Sequence, residues 1–540
     1  MLETILRNPD FVMVENDEAR RGEAGSGVFA RKDVRVICDR QEDCLAVTIT
    51  AGETPVRRVR LRWRFANPVG GQVLGDAWER AYGDLEWMSV NPFRSLPWYA
   101  LVRDGDATAG YGVMVRPGAI CAWQLDPEGV TLWLDVRSGG EGVLLNGRTL
   151  LAARVVSRVY SGVESFEAAR DFCGRMCVDP ILPSAPVYGS NNWYYAYGHS
   201  SAQDVLEDAD YMARLTQGLR NRPYVVIDDG WQQGRYTPDD QFDEVYNGGP
   251  WLPNRRFGDM RALARQMARR DVIPGLWVRL LQDDSAAIPE AWRLASGALD
   301  PSLPEVLAHV RDIVDRIGSW GFRLLKHDFS TYDITGLWGW QMGHEMTRDG
   351  WRFADRTRTT AEIIVDFYSA ILEAAKPHGM LVLGCNAVGH LGAGLMHMNR
   401  IGEDTSGLVW EKTLKHGVNA LAFRMPQHRA FFDADADCVG ITRHIDWALN
   451  RLWGGLLSRS GTAMFVSVAS GTLAADQEEA LRRMLAVNSL HREAARPLDW
   501  QQTTLPRCWL IDGEPVQFNW HGAQGQRVCF DDTPLGSEEE

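Results

Sequence analysis

The chain has 540 residues, with 57 Lys and Arg against 71 Asp and Glu, so its formal net charge is −14. Hydrophobic residues make up 45% of the sequence and charged residues 24%, which is typical of a packed core and excludes general disorder and collagen-like structure. No apolar stretch approaches the ~20 residues of a membrane-spanning helix. An acidic chain without a basic tract is also a poor candidate for binding nucleic acid or an anionic membrane.

The nine cysteines are scattered and include no CxxC pair, which argues against a disulfide framework and against a zinc ribbon. Cys173 and Cys177 have the spacing of packing residues on one face of a helix. The first residues show no basic region followed by an apolar run. We therefore expect a reducing, cytoplasmic location.

Residues 1–175 are predicted to form a β-sandwich. Val59, Leu61 and Trp63 alternate with arginines, which is the pattern of a strand with one buried face. Turn signals separate such runs at Asp104-Gly105 and Asn146-Gly147. The alternative is that these strands are embellishments on the next domain.

Residues 180–475 alternate short apolar runs with amphipathic helices. Ser201 is a plausible N-cap for one helix, and Val306, Val310 and Ile317 lie on the apolar stripe of another. One strand, around residues 420–432, is less clear than the others. Close to eight strand–helix units favour a (β/α)₈ TIM barrel over a doubly wound sheet.

Residues 480–540 are predicted to form a small C-terminal β domain, with a hairpin around Asp512-Gly513. The predicted fold class is therefore α/β: a (β/α)₈ barrel with an N-terminal β-sandwich and a small C-terminal β domain.

Polar and aromatic residues follow six of the predicted barrel strands, at the end where barrel active sites lie. They are, in chain order, Asn191, Asn192 and Trp193; Asp228, Asp229 and Trp231; Trp277 and Arg279; Lys326 and Asp328; Cys385 and Asn386; and Arg400 and Asp404. Carboxylates, amides, cations and tryptophans without clustered histidines indicate a sugar pocket, because hydroxyls need donors and acceptors and ring faces need aromatic side chains.

Two of the carboxylates are candidates for glycoside chemistry. Strand alternation puts Lys326 and Asp328 on the same side, and the lysine favours the ionised carboxylate that a nucleophile requires. Asp404 comes four positions after Arg400 in the chain. One charged and one protonated carboxyl is the pair that glycoside hydrolysis uses. For any single aspartate at a strand end, helix N-capping is an equally good explanation.

The sequences VIDDGWQ, LLKHD and RIGED, in that order, resemble those of the α-galactosidases of the melibiase type and their raffinose-synthase-like relatives, over residues 180–470. This resemblance implies that Asp328 is the nucleophile and Asp404 the general acid and base. It also implies a set of substrate-binding residues and no metal or organic cofactor. Asp228 and Asp229 would accept hydrogen bonds from the 4- and 6-hydroxyls, Lys326 would donate to sugar oxygens, Arg400 would lie near the 2-position, and Trp193 and Trp231 would wall the pocket.

The sequence departs from the family pattern at three places. His327 lies between Lys326 and Asp328 and is expected to point into the barrel wall. Cys385 and Asn386 occupy the region that reads the substituent at the 2-position. Arg279 stands where many relatives have an acidic residue, which changes the charge of the pocket rim.

The other motifs are assigned structural roles rather than roles in catalysis or binding. The aspartates of FFDADADC lack the glycine and the terminal glutamate of an EF-hand, so a structural loop is favoured over calcium binding. The histidines are too dispersed for a metal site. Trp78, Trp87 and Trp98 are assigned to packing, although they could reach over the pocket or over that of a neighbouring subunit.

The predicted function is hydrolysis of terminal α-galactosides with retention of configuration. Three alternatives stay open. The same carboxylates would serve a transglycosylase with acceptor subsites in residues 337–351, or a sibling specificity for an α-N-acetylgalactosaminide, a β-L-arabinopyranoside or an α-glucoside. The third is a sugar-binding protein without catalysis. The sequence also leaves a homo-oligomer open.

Overall fold

The computed structural model describes residues 2–15, 20–21, 27–236, 241–343 and 346–521. Fourteen strands precede the barrel: β1 Phe11–Val14, β2 Arg20–Arg21, β3 Val28–Arg31, β4 Val34–Arg40, β5 Leu45–Thr50, β6 Arg58–Arg64, β7 Gln72–Gly75, β8 Met88–Ser89, β9 Leu96–Pro97, β10 Tyr99–Asp104, β11 Ala107–Val113, β12 Ile120–Asp126, β13 Gly129–Asp135 and β14 Thr149–Ser161.

These strands form two antiparallel sheets, in the orders β2-β1-β6-β13-β12-β9 and β3-β4-β5-β14-β11-β10-β7-β8. Val59, Leu61 and Trp63 on β6 have no exposed surface, as their alternation predicts. The sheets face each other, because Trp123 of the first sheet and Tyr111 of the second have ring centroids 6.4 Å apart. The predicted N-terminal β-sandwich is confirmed.

A helix, α1 Ser165–Met176, ends this region, within residues that are predicted to be β apart from the helical spacing of Cys173 and Cys177. Its buried residues include Phe166, Phe172 and Met176, which share one helical face. Phe172 packs over Gly110 of β11, where a Cβ atom would lie 2.6 Å from its ring. The short apolar stripe of this helix lies directly after a long strand, which is why the β pattern concealed it.

The next eight strands are parallel and close into a barrel. They are β15 Tyr188–Asn191, β16 Tyr224–Ile227, β17 Ile273–Val278, β18 Leu324–His327, β19 Leu381–Gly384, β20 Met398–Arg400, β21 Asp433–Gly440 and β22 Ala463–Ser467. Pairing of Tyr188 with Met464 joins the first strand to the last. The predicted TIM barrel is confirmed.

Helices connect these strands. They are α2 Trp193–Ala196, α3 Ala202–Leu215, α4 Met260–Arg269, α5 Pro304–Trp320, α6 Ser330–Thr335, α7 Thr360–Ala375, α8 Gly389–Gly392, α9 Trp410–Lys412, a π-helical segment Thr413–Asn419, α10 Ala420–Arg424, α11 Trp447–Leu457 and α12 Ala475–Asn488. Ser201 caps α3 through a capping box with Asp204, as the sequence predicts. The stripe of α5, with Val306, Val310 and Ile317 fully buried, packs against the barrel core.

The seventh strand corrects two expectations. Residues 420–432 are not a strand, since α10 and a short 3₁₀ turn occupy most of them. The strand is β21, and it contains the aspartates of FFDADADC, which are therefore not in a loop. Burial raises the pKa of Asp435 to about 6, whereas at Asp437 the charges of Arg400 and Lys326 outweigh burial and lower the pKa. A strand of alternating aspartates and alanines lacks the apolar run by which buried parallel strands are recognised.

The C-terminal sheet has three antiparallel strands, β23 Arg496–Pro497, β24 Cys508–Ile511 and β25 Glu514–Gln517. Asp512 and Gly513 both have positive φ, at 53° and 82°, as the predicted tight hairpin requires. The small C-terminal β domain is thus confirmed as a fold element, and residues 522–540 lie outside the described part. The boundaries 1–175, 180–475 and 480–540 stay predictions. Among the described residues, no helix has the length and apolarity needed to cross a membrane.

Candidate active site

Polar side chains from three barrel strands meet at Asp228. The Oδ2 atom of Asp228 accepts hydrogen bonds from Lys326 Nζ at 2.7 Å and from Asn191 Nδ2 at 2.6 Å. Its backbone N–H donates to Asn192 Oδ1 at 2.8 Å. Burial on its own would lower the pKa of Lys326, but the charge of Asp228 raises it well above its ordinary value, so the ammonium group stays charged.

Asp328 follows β18 and is held by three donors. Its Oδ1 accepts from the backbone N–H groups of Phe329 at 2.7 Å and Asn386 at 3.0 Å, and its Oδ2 accepts from Trp277 Nε1 at 3.2 Å. Burial on its own would raise its pKa, but the charges of Arg80 and Lys326, with these hydrogen bonds, lower the pKa of Asp328 to about 2. The carboxylate is therefore ionised at neutral pH.

Asp404 lies beyond the end of β20, and its side chain is 43% exposed. Arg400 Nη2 donates to Asp404 Oδ1 at 2.8 Å and also lies 3.0 Å from Asp437 Oδ2. Asp437 in turn accepts hydrogen bonds from the backbone N–H of Thr405 at 2.7 Å and from the hydroxyl of Tyr194. The carboxylate of Asp404 is thus anchored on one side and open to solvent on the other.

One guanidinium group connects the two candidate catalytic carboxylates. Arg80 Nη1 lies 3.7 Å from Asp404 Oδ1. The charge of Arg80 is also the largest of the influences that lower the pKa of Asp328, opposing burial. Hydrogen bonds also link this arginine to Asp328: Arg80 Nε and Asn386 Nδ2 both donate to Glu79 Oε2, and the Asn386 N–H donates to Asp328 Oδ1.

Other predicted residues lie close by. Cys385 Sγ is 3.6 Å from Arg400 Nη1, and Asn386 Nδ2 donates to Glu79 Oε2 at 2.7 Å. Trp193 is half-buried, and its ring centroid lies 5.4 Å from that of Tyr197.

His327 points away from the cleft, as expected from strand alternation. It is fully buried, its Nδ1 lies 3.0 Å from Ser330 Oγ, and its ring packs against Tyr368. Burial lowers the pKa of His327 to about 4, so the ring is neutral. Its neighbours Lys326 and Asp328 are the residues that face the site.

Trp231 does not line the cleft. It has no exposed surface, donates its indole N–H to the Trp277 carbonyl at 2.8 Å, and packs against Trp251 and Trp320. The expectation that it walls the pocket is corrected: the ring fills the space behind β17. The position of a tryptophan just after a strand does not show whether its ring points into the cleft or into the protein core.

Asp229 and Arg279 are each engaged by protein partners. Asp229 Oδ1 accepts from Gln232 Nε2 at 2.7 Å, its Oδ2 is 3.3 Å from Arg235 Nε, and burial raises the pKa of Asp229 to about 6. Arg279 forms an ion pair with Asp333 at 2.6 Å. Since that pair cancels the charge of Arg279, the arginine does not make the rim more positive.

Two residues at the cleft were missed by the sequence analysis. Glu79 and Arg80 belong to residues 76–87, between β7 and β8 of the sandwich, and both are buried. The rule that barrel active sites lie at strand ends cannot find a residue that another domain supplies. The sole signal is an adjacent acid–base pair flanked by the large aromatic side chains of Trp78 and Tyr82. Among the described residues, no cluster of histidines, cysteines and carboxylates could hold a metal ion.

No family model matches the sequence, and no curated protein matches it. Solved structures do. An α-galactosidase from Thermus thermophilus, in complex with p-nitrophenyl α-D-galactopyranoside, matches with a TM-score of 0.60 and 16% identity, over 88% of this chain and 99% of that one. The GH36 α-galactosidase AgaA from Geobacillus stearothermophilus matches with a TM-score of 0.57 and 14% identity, over 94% and 79%.

The galactosidase domain of the α-galactosidase–sucrose kinase AgaSK also matches, with a TM-score of 0.56 and 14% identity, over 94% of this chain and 74% of that one. Similarity at such identities establishes a common fold. The protein thus has the fold of these α-galactosidases, from the N-terminal sheets to the barrel, and the expected resemblance is confirmed at that level.

Proposed function

We propose that the protein is a glycoside hydrolase that cleaves terminal α-galactosides with retention of configuration. The observation that carries this proposal is the network that joins Asp328 and Asp404. Arg80 Nη1 lies 3.7 Å from Asp404 Oδ1, and Glu79, which binds Arg80, also binds Asn386, whose N–H donates to Asp328. Asp328 is an ionised carboxylate held by three donors, and Asp404 is a neighbouring carboxylate that solvent can reach. Retaining glycosidases use such a pair, with the carboxyl groups about 5–5.5 Å apart.

In the first step, a carboxylate oxygen of Asp328 attacks the anomeric carbon while Asp404 donates its proton to the leaving oxygen. The bond to the leaving group breaks and an ester to Asp328 forms. In the second step, Asp404 takes a proton from water, the water oxygen bonds to the anomeric carbon, and the ester breaks. The ionised carboxylate of Asp328 favours the positive charge that develops on the sugar ring in the transition state.

The sugar would be held by the residues around Asp228. Its Oδ2 already accepts two hydrogen bonds, whereas its Oδ1 accepts one from the Asp229 N–H at 3.0 Å. A carboxylate oxygen has two lone pairs, so Oδ1 can accept one hydroxyl. Cys385 and Arg400 lie together and would face the 2-position, and Lys326 would donate to the hydroxyl that Asp228 accepts. The other binding residues of this proposal are Asn192, Trp193, Trp277 and Asn386.

The galactose specificity rests on the structures with the same fold. The Thermus enzyme was solved with stachyose and with an aryl α-galactoside, and a variant of AgaA was solved with raffinose. We therefore propose oligosaccharides that end in α-galactose as substrates. Hydrolysis of an α-N-acetylgalactosaminide, a β-L-arabinopyranoside or an α-glucoside instead would be detected in the experiment described next.

A panel of aryl α- and β-glycosides tests the proposal. We expect hydrolysis of the α-galactoside, with the α-anomer of the free sugar seen first by NMR. The variant Asp328→Ala should lose activity while remaining folded. Asp271→Asn, at an exposed turn before β17, should keep it. Release of the β-anomer, or near-normal activity of Asp328→Ala, would refute the mechanism, and galactose binding without any hydrolysis would indicate a binding protein.

A second function is favoured by Trp340. Its side chain is 63% exposed on the short turn Gly339–Gln341, and the Gly339 N–H donates to Glu79 Oε1 at 3.1 Å, next to Arg80. An exposed indole beside the cleft is suited to stacking on an acceptor sugar, as a transglycosylase needs. Product analysis with and without added sugar acceptor separates transfer from hydrolysis.

A further inference from the structure

A segment of the N-terminal sandwich, residues 76–87, leaves its own sheet and docks on the barrel. The Ala81 N–H donates to the Ile401 carbonyl, and the Glu403 N–H donates to the Ala81 carbonyl, both at 2.9 Å. Trp78 Nε1 donates to the Gly343 carbonyl at 2.8 Å, which fixes the start of the segment on the loop after α6. The segment therefore lies along the loop that carries Asp404.

At the centre of this segment, two charged side chains are buried. Glu79 has no exposed surface, and Arg80 is 3% exposed. Glu79 accepts hydrogen bonds from Asn386 Nδ2 at 2.7 Å, from Arg80 Nε at 3.2 Å, and from the hydroxyl of Tyr82. Because the Asn386 N–H also donates to Asp328, Glu79 holds both the arginine and the loop that binds the nucleophile.

Arg80 extends from Glu79 towards the acid–base loop. Its Nη2 lies 3.5 Å from Glu403 Oε1, and its Nη1 lies 3.7 Å from Asp404 Oδ1. Its guanidinium carbon is 5.5 Å from the ring centroid of Trp338. A buried ion pair adds little net stability compared with an apolar contact, so anchoring the segment does not by itself explain why charged residues stand here.

We infer that Arg80, oriented by Glu79, is a positioning residue, and that through it the N-terminal sandwich completes the active site of the same chain. Arg80 holds the loop of Asp404 directly, and Glu79 holds the loop of Asn386, whose N–H binds Asp328. This inference rests on the proposed function for the roles of the two aspartates. It assigns to the sandwich a part in the chemistry of the barrel.

The charge on Asp328 depends on groups from several elements, and Arg80 is the member that comes from outside the barrel. The titratable and charged groups around Asp328 are Arg80, Arg279, Lys326, Asp333 and Cys385, with His327 next to it in the chain but turned into the barrel wall. Those around Arg80 are Glu79, Tyr82, Asp328, Cys385, Glu403, Asp404 and His416. Removing the Arg80 charge leaves Lys326 in place near Asp328, but it also leaves Glu79 buried without its cation. A variant that keeps the charge at position 80 is therefore needed beside the one that removes it.

The test compares Arg80→Met, which removes the charge, with Arg80→Lys, which keeps it. Protonation of Asp328 is followed by infrared spectroscopy of protein labelled with ¹³C-aspartate. The carboxyl band of Asp328 is identified as the one that is missing from the spectrum of Asp328→Asn. An opposite charge within about 4–6 Å lowers the pKa of a carboxyl by about 1–3. We therefore expect Asp328 to stay ionised at about pH 4 in the wild type, and on the order of a tenth or more of it to be protonated in Arg80→Met. Arg80→Lys should restore most of the wild-type behaviour.

Arg137→Met is the matched control. Arg137 has no exposed side-chain surface, pairs with Asp135 at 2.6 Å, and reaches across to Asp349 at 2.8 Å. It is thus a buried arginine between the sandwich and the following chain, but it is not among the groups that face Asp328. This variant should leave the titration of Asp328 unchanged even where it lowers stability.

The kinetic readout is the acidic limb of the pH profile of kcat/KM, which should move to higher pH in Arg80→Met by the same amount as the spectroscopic titration. An unchanged titration of Asp328 in Arg80→Met, or an equal shift in Arg137→Met, would overturn the inference. A wild type that hydrolyses no glycoside would overturn the proposed function, while the titration would still decide the role of Arg80.

Discussion

Trp277 and Asp328 are joined across two neighbouring barrel strands, with the indole N–H donating to Asp328 Oδ2 at 3.2 Å. The register of β17 and β18 pairs Trp277 with Lys326, so one tryptophan lies beside both the lysine and the carboxylate. The hydrogen bond holds one face of the carboxylate in a fixed orientation and stabilises its charge.

Trp277→Phe should lower kcat/KM by about 10- to 100-fold, because a hydrogen bond to a charged group contributes roughly 1.5–3 kcal/mol. The loss should be measured on an aryl glycoside with saturation kinetics. Trp251→Phe is the control, since Trp251 is equally buried and its Nε1 has no hydrogen-bond partner. Equal losses in the two variants would assign the effect to packing.

Asp404→Ala should slow the cleavage of substrates with poor leaving groups by about 10²–10⁴-fold, the usual contribution of general acid catalysis. Aryl glycosides with acidic phenols need no proton on the leaving oxygen, so their first step should be affected far less. Added azide should restore turnover and give a glycosyl azide of retained configuration, seen by NMR. Loss that is independent of the leaving group would exclude Asp404 as the acid.

Lys326→Met should destabilise the fold by about 3–5 kcal/mol, because it leaves the buried carboxylate of Asp228 without its cation. The two side chains are 10% and 5% exposed and 2.7 Å apart. The free energy of unfolding in urea measures the effect. Arg483→Met, in the exposed pair with Glu479, should leave it unchanged, and similar values for both variants would contradict the prediction.

Asp433→Asn should stabilise the protein relative to the wild type more at high pH than at low pH. Burial raises the pKa of Asp433 to about 7, whereas in the unfolded chain it is ordinary. The folded state therefore binds the proton more tightly, and the wild type loses stability as pH rises through that range. Urea unfolding at about pH 5 and about pH 8 measures the difference. A gap between wild type and variant that does not widen at the higher pH would show that Asp433 titrates normally.

The sequence was sufficient for the architecture of the barrel and for part of the site. Apolar runs alternating with amphipathic helices predict parallel strands, and the polar residues after those strands include Asp228, Lys326 and Asp328, which the structure brings together. The strand β21 could not be found in this way, because three of its buried positions are aspartates. The partners of Asp437, for example, are Tyr194, Arg400 and Thr405, which lie elsewhere in the chain.

The remaining differences between prediction and structure come from the direction of a side chain in one case and from a large separation in sequence in the other. Trp231 follows a strand end as Trp193 does, but the turn of the backbone carries its ring into the core. Glu79 and Arg80 reach the cleft from a separate domain, and no local pattern encodes a contact between residues so far apart in the chain. Both depend on tertiary packing, which periodicity does not describe.

The docked segment, residues 76–87, also has a consequence for the order in which the active site is assembled. The N-terminal sheets are synthesised before the barrel strands, so the arginine that meets Asp328 and Asp404 is present when the last barrel strands are made. A barrel severed from those sheets would keep Lys326 near Asp328 but would lose Arg80, which lies beside Asp404. The set of cations around the two carboxylates would then be complete only once the sheets have docked on the barrel.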